Sequence, residues 1–338
     1  MTKRYFAMLI AVFALAILPA QSWAVANAVV GKCKTGTQFT TIQASINAAD
    51  VGSTIQICPG NYPEILTITK NLTLKGVPSG KSAAVVITVP TTGVPKNGKS
   101  GLLGDLAVQV FILNASVAVN NISIDGGGGT ACTFGVHQVG ILFQAAGGSM
   151  TNSSIVDMPQ CSLSIPAFLD LTSNFKFSSN YLSGCDGACL EVDYGSNTTV
   201  TGNIIEPLIP TFDGIEIQQL GGQATVANNF IAGNVNFGIA AYNSSLVSIT
   251  GNTITAIPSG SGIFLYAQTQ TVVSNNRISG TTGVLVNDNG VPGGNTITKN
   301  TFIGGLCGLG LYSHNIGDSI SQNIYFNDTQ SICTLVVL

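Results

Sequence analysis

The sequence predicts an all-β chain wound as a single-stranded right-handed parallel β-helix, a solenoid with an N-terminal α-helical cap. Two recurring phrases carry that expectation. One is Asp213-Gly-Ile-Glu-Ile, Phe237-Gly-Ile-Ala-Ala, Ser261-Gly-Ile-Phe-Leu, Thr282-Gly-Val-Leu-Val and Cys307-Gly-Leu-Gly-Leu. The other places Asn before an apolar pair at Asn229, Asn252, Asn276, Asn300 and Asn323, so by subtraction the steps are 23, 24, 24 and 23 residues. A period of that size in strand-forming residues marks a stack of β-coils that bury one another's apolar faces. Parallel strands in such a stack connect by right-handed crossovers. With 8% charged residues and 40 Gly, the chain is too apolar for disorder and too poor in helix formers for a bundle.

Met1 to Ala24 reads as a cleaved secretory signal. Lys3 and Arg4 lead, Phe6 to Leu18 form the apolar run, and Ser22-Trp-Ala24 supplies small residues before a cut. The run is shorter than the roughly 20 residues a membrane span requires. The expected divisions are 1–24 signal, 25–76 cap helix and first coil, and 77–338 further coils with a loop insertion near 91–104. The expected location is secreted, periplasmic or cell-surface. Twelve basic side chains less Lys3 and Arg4 leaves ten against fifteen acidic ones, which disfavours nucleic acid and anionic membranes as partners.

All eight Cys follow the signal, an even number suited to an oxidising compartment. Cys33 with Cys58, Cys132 with Cys161, and Cys307 with Cys333 are each about one coil apart. That places them on neighbouring rungs about 4.8 Å apart, within disulfide range. Cys185 with Cys189 completes the expected set, and Cys161 with Cys185 is the competing choice.

In chain order, Phe39 to Asp50 carries Ile42, Ile46 and Ala49 at helical spacing, with Thr40 or Thr41 as N-cap. Such a helix can cover the unpaired end of a solenoid. Ser53–Cys58, Ile65–Thr69 and Leu72–Gly76 then read as short strands broken by turn residues. The run from Phe39 to Gly76 resembles the opening of right-handed parallel β-helix proteins of the pectin lyase-like superfamily, and through the repeats the resemblance covers nearly all of the mature chain. It implies the fold, and an asparagine ladder of structural role at Asn121, Asn180, Asn203 and onward, with Ser153 in the gap. An amide in that position can bond to the turns above and below it. The chain ends at Cys333-Thr-Leu-Val-Val-Leu338 without a visible cap, so self-association at that end is a further expectation.

Alternation along the first phrase places one side chain between each inward pair on the outer face. The inward pairs expected are Ile141 and Phe143, Leu169 and Leu171, Leu190 and Val192, Ile215 and Ile217, and so on. The outward column then reads Leu142, Asp170, Glu191, Glu216, Ala240, Phe264, and the next reads Gln144, Thr172, Asp193, Gln218, Tyr242, Tyr266, Asn287, Tyr312. Stacked like charges destabilise a sheet, so a carboxylate column calls for a chemical reason. Asp170, Glu191 and Glu216 are therefore the candidate catalytic residues, one a general acid and another a nucleophile or base. Adjacent rungs suit a retaining glycosidase, and Asp170 with Glu216 two rungs apart suits an inverting one. Asp193, Gln218, Tyr242, Phe264, Tyr266 and Tyr312 are the candidate substrate-binding residues, the rings offering apolar faces to sugars. No cofactor is expected; Ca²⁺ on the carboxylates is the alternative.

The activities of the resembled superfamily do not transfer residue by residue. Asp213-Gly-Ile resembles part of the polygalacturonase motif, yet Phe212 stands in place of its Thr and the companion Asp pair, Gly-His-Gly and Arg-x-Lys are absent. The only Trp, Trp23, lies in the signal, which removes the pectin methylesterase motif. Arg277 follows a ladder Asn and should lie on a different face from the acids, which disfavours a lyase. His137 and His314 each read as ordinary structural or surface residues. The sequence thus points to recognition, with hydrolysis as a further step, of an extracellular or cell-wall polysaccharide; the alternative is a noncatalytic adhesion or structural scaffold.

Overall fold

The computed structural model describes residues 25–78, 84–128, 136–158, 164–207, 211–233, 235–312 and 317–335. The segment Met1–Ala24, the Cys132–Cys161 pair and His314 lie outside the described residues. The chain forms an all-β, right-handed parallel solenoid of about 12 turns.

A regular coil has three strands. In the coil around residue 200, Thr198–Thr201 is the first, Ile204–Glu206 the second and Thr211–Gln218 the third. First strands stack into one sheet of 13 strands, and second and third strands run together through a sheet of 21. Ile, Val, Leu and Phe from every strand meet in one continuous core along the axis.

The turn from first to second strand explains the Asn period. A residue in the left-handed region, such as Asn228 at φ 55°, turns the chain. The next residue, Asn229, then points into the stack. Its Oδ1 accepts from the Asn203 backbone N at 3.0 Å and from Asn203 Nδ2 at 2.9 Å, and its own Nδ2 donates to Asn252 Oδ1 and to Val200 O. The same bonds repeat from Asn252 to Asn276 and on to Asn300 and Asn323. Asn121 is not part of this column: it is the left-handed residue itself, at φ 57°, and Ile122 takes the position facing Ser153.

The recurrent glycine has a steric cause. A Cβ on Gly238 would sit 2.5 Å from Ile254 Cγ2 and 2.6 Å from the Gly262 carbonyl, so the chain can pass from second to third strand only without a side chain there.

The helix spans Ile42–Ala48, with Thr41 as N-cap accepting from Ala44 N. Glu64 accepts from the next two free amides, Ile42 N at 2.8 Å and Gln43 N at 2.9 Å, where the helix terminus favours negative charge. Ile42 and Ile46 are buried over the first coil. Cys33–Cys58, Cys185–Cys189 and Cys307–Cys333 are disulfides, with Cα separations of 5.6, 5.2 and 6.0 Å. They point to an oxidising environment. Among the described residues no helix is long and apolar enough to cross a membrane.

The stretch 91–104 is not plain loop. Lys96–Ser100 pairs antiparallel with the start of Gly104–Leu113, making a hairpin that leaves the coil. Asn97 fixes it by exchanging two hydrogen bonds with the Val108 backbone, at 2.9 and 3.1 Å.

Candidate active site

The third strands carry the site on their outer face. Register runs Leu142, Phe168, Glu191, Glu216, Ala240, Phe264 and Leu285 in one column. The adjacent column runs Gln144, Asp170, Asp193, Gln218, Tyr242, Tyr266 and Asn287. This corrects the position of Asp170: its neighbour on the next rung is Asp193, not Glu191. The inward pair of that strand is Ala167 and Leu169, while Leu171 is 53% exposed at φ 55° in the following turn. Thr172 therefore does not stand in the outward column; Asp170 does.

Five carboxyls gather here. Asp170, Glu191, Asp193 and Asp213 are buried to 3% exposure or less, and Glu216 is half-buried. The Glu191 and Asp193 carboxyls are in contact, as are those of Asp213 and Glu216. Neither Asp193 oxygen has an N–H or O–H donor among the described residues. Burial first, then the negative charges of Asp193, Glu216 and Asp213, holds the Glu191 carboxyl far above its ordinary range. Burial is also the main cause that pushes Asp193 up to about 7; Glu216 and Asp170 add to it, against a lowering contact from Glu191. Asp213 is raised by burial and by Glu216. Burial raises Asp170 too, against a hydrogen bond from Gln144 Nε2 at 2.8 Å. All charges acting on these groups are other carboxylates. Gln218 Nε2 donates to the Glu216 carboxylate and so orients it.

One side of this cluster is walled. Leu142 and Phe168 point outward yet are fully buried, packed with Leu106, Val108, Phe111, Val139 and Ile165 in a small second core outside the coil. The hairpin covers it: a Cβ on Gly98 would lie 3.0 Å from Val108 and 3.6 Å from Leu142. Leu103, at the hairpin's turn, packs on the same cluster. Between this wall and the acids lies a cavity of about 180 Å³ lined by Leu103, His137, Ile165, Gly187, Ala188, Glu191, Glu216 and Gln218. Gly187 and Ala188 belong to the loop closed by Cys185–Cys189.

The other side is aromatic. Phe237 and Phe264 stack with centroids 4.5 Å apart, Tyr242 meets Phe264 edge-on at 5.7 Å, and Tyr266 lies 6.2 Å from both Tyr242 and Phe264. Burial and the charges of Asp213 and Glu216 raise the Tyr242 hydroxyl. It therefore stays a protonated donor. Tyr312 stands two rungs beyond Tyr266 and is not brought into this cluster. Arg277 lies at the head of a second-strand segment, in line with Thr253 and Thr301, away from the acids.

Asp213, Phe237 and His137 are site residues that simple alternation misses. The first two precede the inward glycines, where the alternation breaks, and His137 stands alone in the sequence and is delivered by the coil. Among the described residues no group of three or more His, Cys, Asp or Glu side chains is arranged to hold a metal ion.

A family model for the right-handed β-helix region matches residues 167–326. No curated protein matches the chain by sequence. Among solved structures, a mutant DFA-IIIase from Arthrobacter chlorophenolicus A6 in complex with DFA-III is similar at TM-score 0.65 and 15% identity, over 89% of this chain and 84% of that one. The A-module of a mannuronan C-5 epimerase from Azotobacter vinelandii is similar at 0.51 and 14%, over 94% and 98%. The GH136 lacto-N-biosidase from Eubacterium ramulus is similar at 0.53 and 9%, over 92% and 68%. At such identities the likeness is one of fold. The chain folds as a right-handed parallel β-helix, and no specific enzyme family is matched.

Proposed function

We propose that the protein is an exported carbohydrate-active β-helix that hydrolyses a glycosidic bond in a neutral glycan, with Glu191 as general acid and Glu216 as nucleophile. One observation carries this reading: the Glu191 and Asp193 carboxyls touch, without an outside donor on Asp193, beside the half-open Glu216. Two carboxyls in contact cannot both ionise cheaply, so the pair retains a proton at neutral pH. Glu216, oriented by Gln218, is the group open to a ligand. The fold adds coarse support, since similar structures include a DFA-IIIase and a lacto-N-biosidase.

Glu191 would give its proton to the bridging oxygen as the bond from that oxygen to the anomeric carbon breaks. Glu191 and Glu216 are register partners on adjacent rungs, and a rung step of about 4.8 Å is near the ~5 Å carboxyl separation of retaining enzymes. In that form the Glu216 carboxylate bonds to the anomeric carbon as the leaving group departs. Water then displaces it, giving its proton to Glu191 and restoring both groups. Tyr242, Phe237, Phe264 and Tyr266 would offer ring faces to the remainder of the glycan. Asp170, under the hairpin and bonded to Gln144, would support the site without touching substrate. Among the described residues the only charges acting on these acids are other carboxylates, which argues against polyuronates, whose own carboxylates they would repel.

The test is reducing-sugar release by the mature protein across neutral and acidic glycans, with and without Ca²⁺. Glu191→Gln and Glu216→Gln should each lower turnover by about 10²-fold or more. Silence on every glycan, with binding unaltered in both variants, would sink the hydrolytic reading and leave a scaffold.

A further inference from the structure

The outer face that carries the acids is closed at one end. On the rungs before Glu191 the outer face is occupied by the packed cluster of Leu142, Phe168 and their neighbours, under the hairpin. On the rungs after Glu216 the face carries the half-buried rings of Tyr242, Phe264 and Tyr266. A glycan lying along the rings reaches Glu216 and Glu191 and then meets the wall within one further unit. What remains there is the cavity of about 180 Å³. At roughly 30 Å³ for each water in liquid volume, that is space for several waters, on the scale of a sugar ring.

The lining suits a ring. Leu103, Ile165, Gly187 and Ala188 give apolar surface, and His137, Glu191, Glu216 and Gln218 supply polar groups, the common pattern of a small-ligand pocket. His137 lines the same space.

We propose that this cavity is a subsite for the single terminal ring of a glycan, with His137 in its lining, so that the protein acts on chain ends and not on chain interiors. This rests on the carbohydrate reading above. It follows from the wall, which leaves an internal segment no path past Leu103.

The experiment follows product size over time on whichever glycan the screen finds to be turned over. A chain-end enzyme releases one product size from the first time points while the polymer's size distribution stays unchanged. Leu103→Trp, which fills the cavity from a surface hairpin, should then lower turnover at least tenfold with unaltered circular dichroism. His137→Ala should raise KM severalfold more than it lowers kcat, and His137→Gln should restore part of the loss. Fragments of mixed length from the start, abolished by Glu191→Gln, would overturn the terminal subsite and leave hydrolysis standing. For a glycan bound without turnover, a linear oligosaccharide is compared with a cyclic one of the same linkage. Weak binding of the ring that has no end supports the proposal; equal binding overturns it. No binding and no turnover on any glycan would remove this proposal and the reading beneath it together.

Discussion

Gln144 donates from one amide nitrogen to two acceptors, the Asp170 carboxylate at 2.8 Å and the Lys99 carbonyl at 2.7 Å. A single side chain therefore ties the hairpin wall to the acidic floor. Gln144→Ala should raise the Asp170 pKa further, since the lowering bond is lost while burial remains. It should also loosen the hairpin. Faster amide exchange at Asn97 and Val108, with the coil amides unchanged, is the expected result; uniform exchange would show that the hairpin stands without this link.

Stability should fall as pH rises through the range set by Asp193. Its carboxyl moves from an ordinary 3.8 to about 7 on folding, so the folded chain binds the proton more tightly than the unfolded one. The stabilisation from this proton is complete below the unfolded value and is lost as pH climbs through the folded one. Its size is on the order of a few kcal/mol. The melting temperature of wild type should decline between pH 4 and about 7. Asp193→Asn should flatten that decline, and parallel curves for the two proteins would count against it.

The same proton should set the alkaline limb of activity. Under the proposed mechanism, kcat/KM falls once the Glu191–Asp193 pair gives up its shared proton, and the value read belongs to the pair. Asp193→Asn removes the repelling partner and should move that limb. A limb that stays in place would assign the acid to another group.

The ring shelf should govern affinity more than chemistry. Phe264 touches Phe237, Tyr242 and Tyr266. Phe264→Ala should therefore disturb the whole shelf and weaken oligosaccharide binding about tenfold, near 1.4 kcal/mol, with kcat changed much less. Calorimetric titration of the Glu191→Gln background separates the two.

The inner column should be costly to interrupt. Asn229→Ala removes the acceptor for two Asn203 donors and the donor to Val200 O, all buried. Each orphaned group costs about 1–3 kcal/mol. A drop of about 2–5 kcal/mol in unfolding free energy by denaturant titration is expected, and a loss under 1 kcal/mol would mean that water replaces the amide.

The strands and the period were legible because the glycine and asparagine positions are dictated by close contacts that repeat in successive coils from residue 213 onward. Glu191 and Glu216 were legible for the same reason: their strands keep simple alternation. Asp170 was misplaced because Ala167/Leu169 and Leu169/Leu171 both fit a period of two. Only the left-handed turn at Leu171 decides between them, and nothing in a Leu announces it. The insertion near 91–104 was legible, but its place at the site and that of His137 were not, since each reaches the site through the winding of the chain and not through a neighbour in sequence.

The Cys185–Cys189 loop gives a practical consequence for anyone preparing this protein. It supplies Gly187 and Ala188 to the cavity but joins residues within one coil. Reducing it leaves the stack of coils intact while freeing one side of the ring-sized space. Material produced in a reducing cytosol would lack this closure together with the Cys33–Cys58 and Cys307–Cys333 links between coils. Preparations should therefore be matched by thiol titration before their activities are compared.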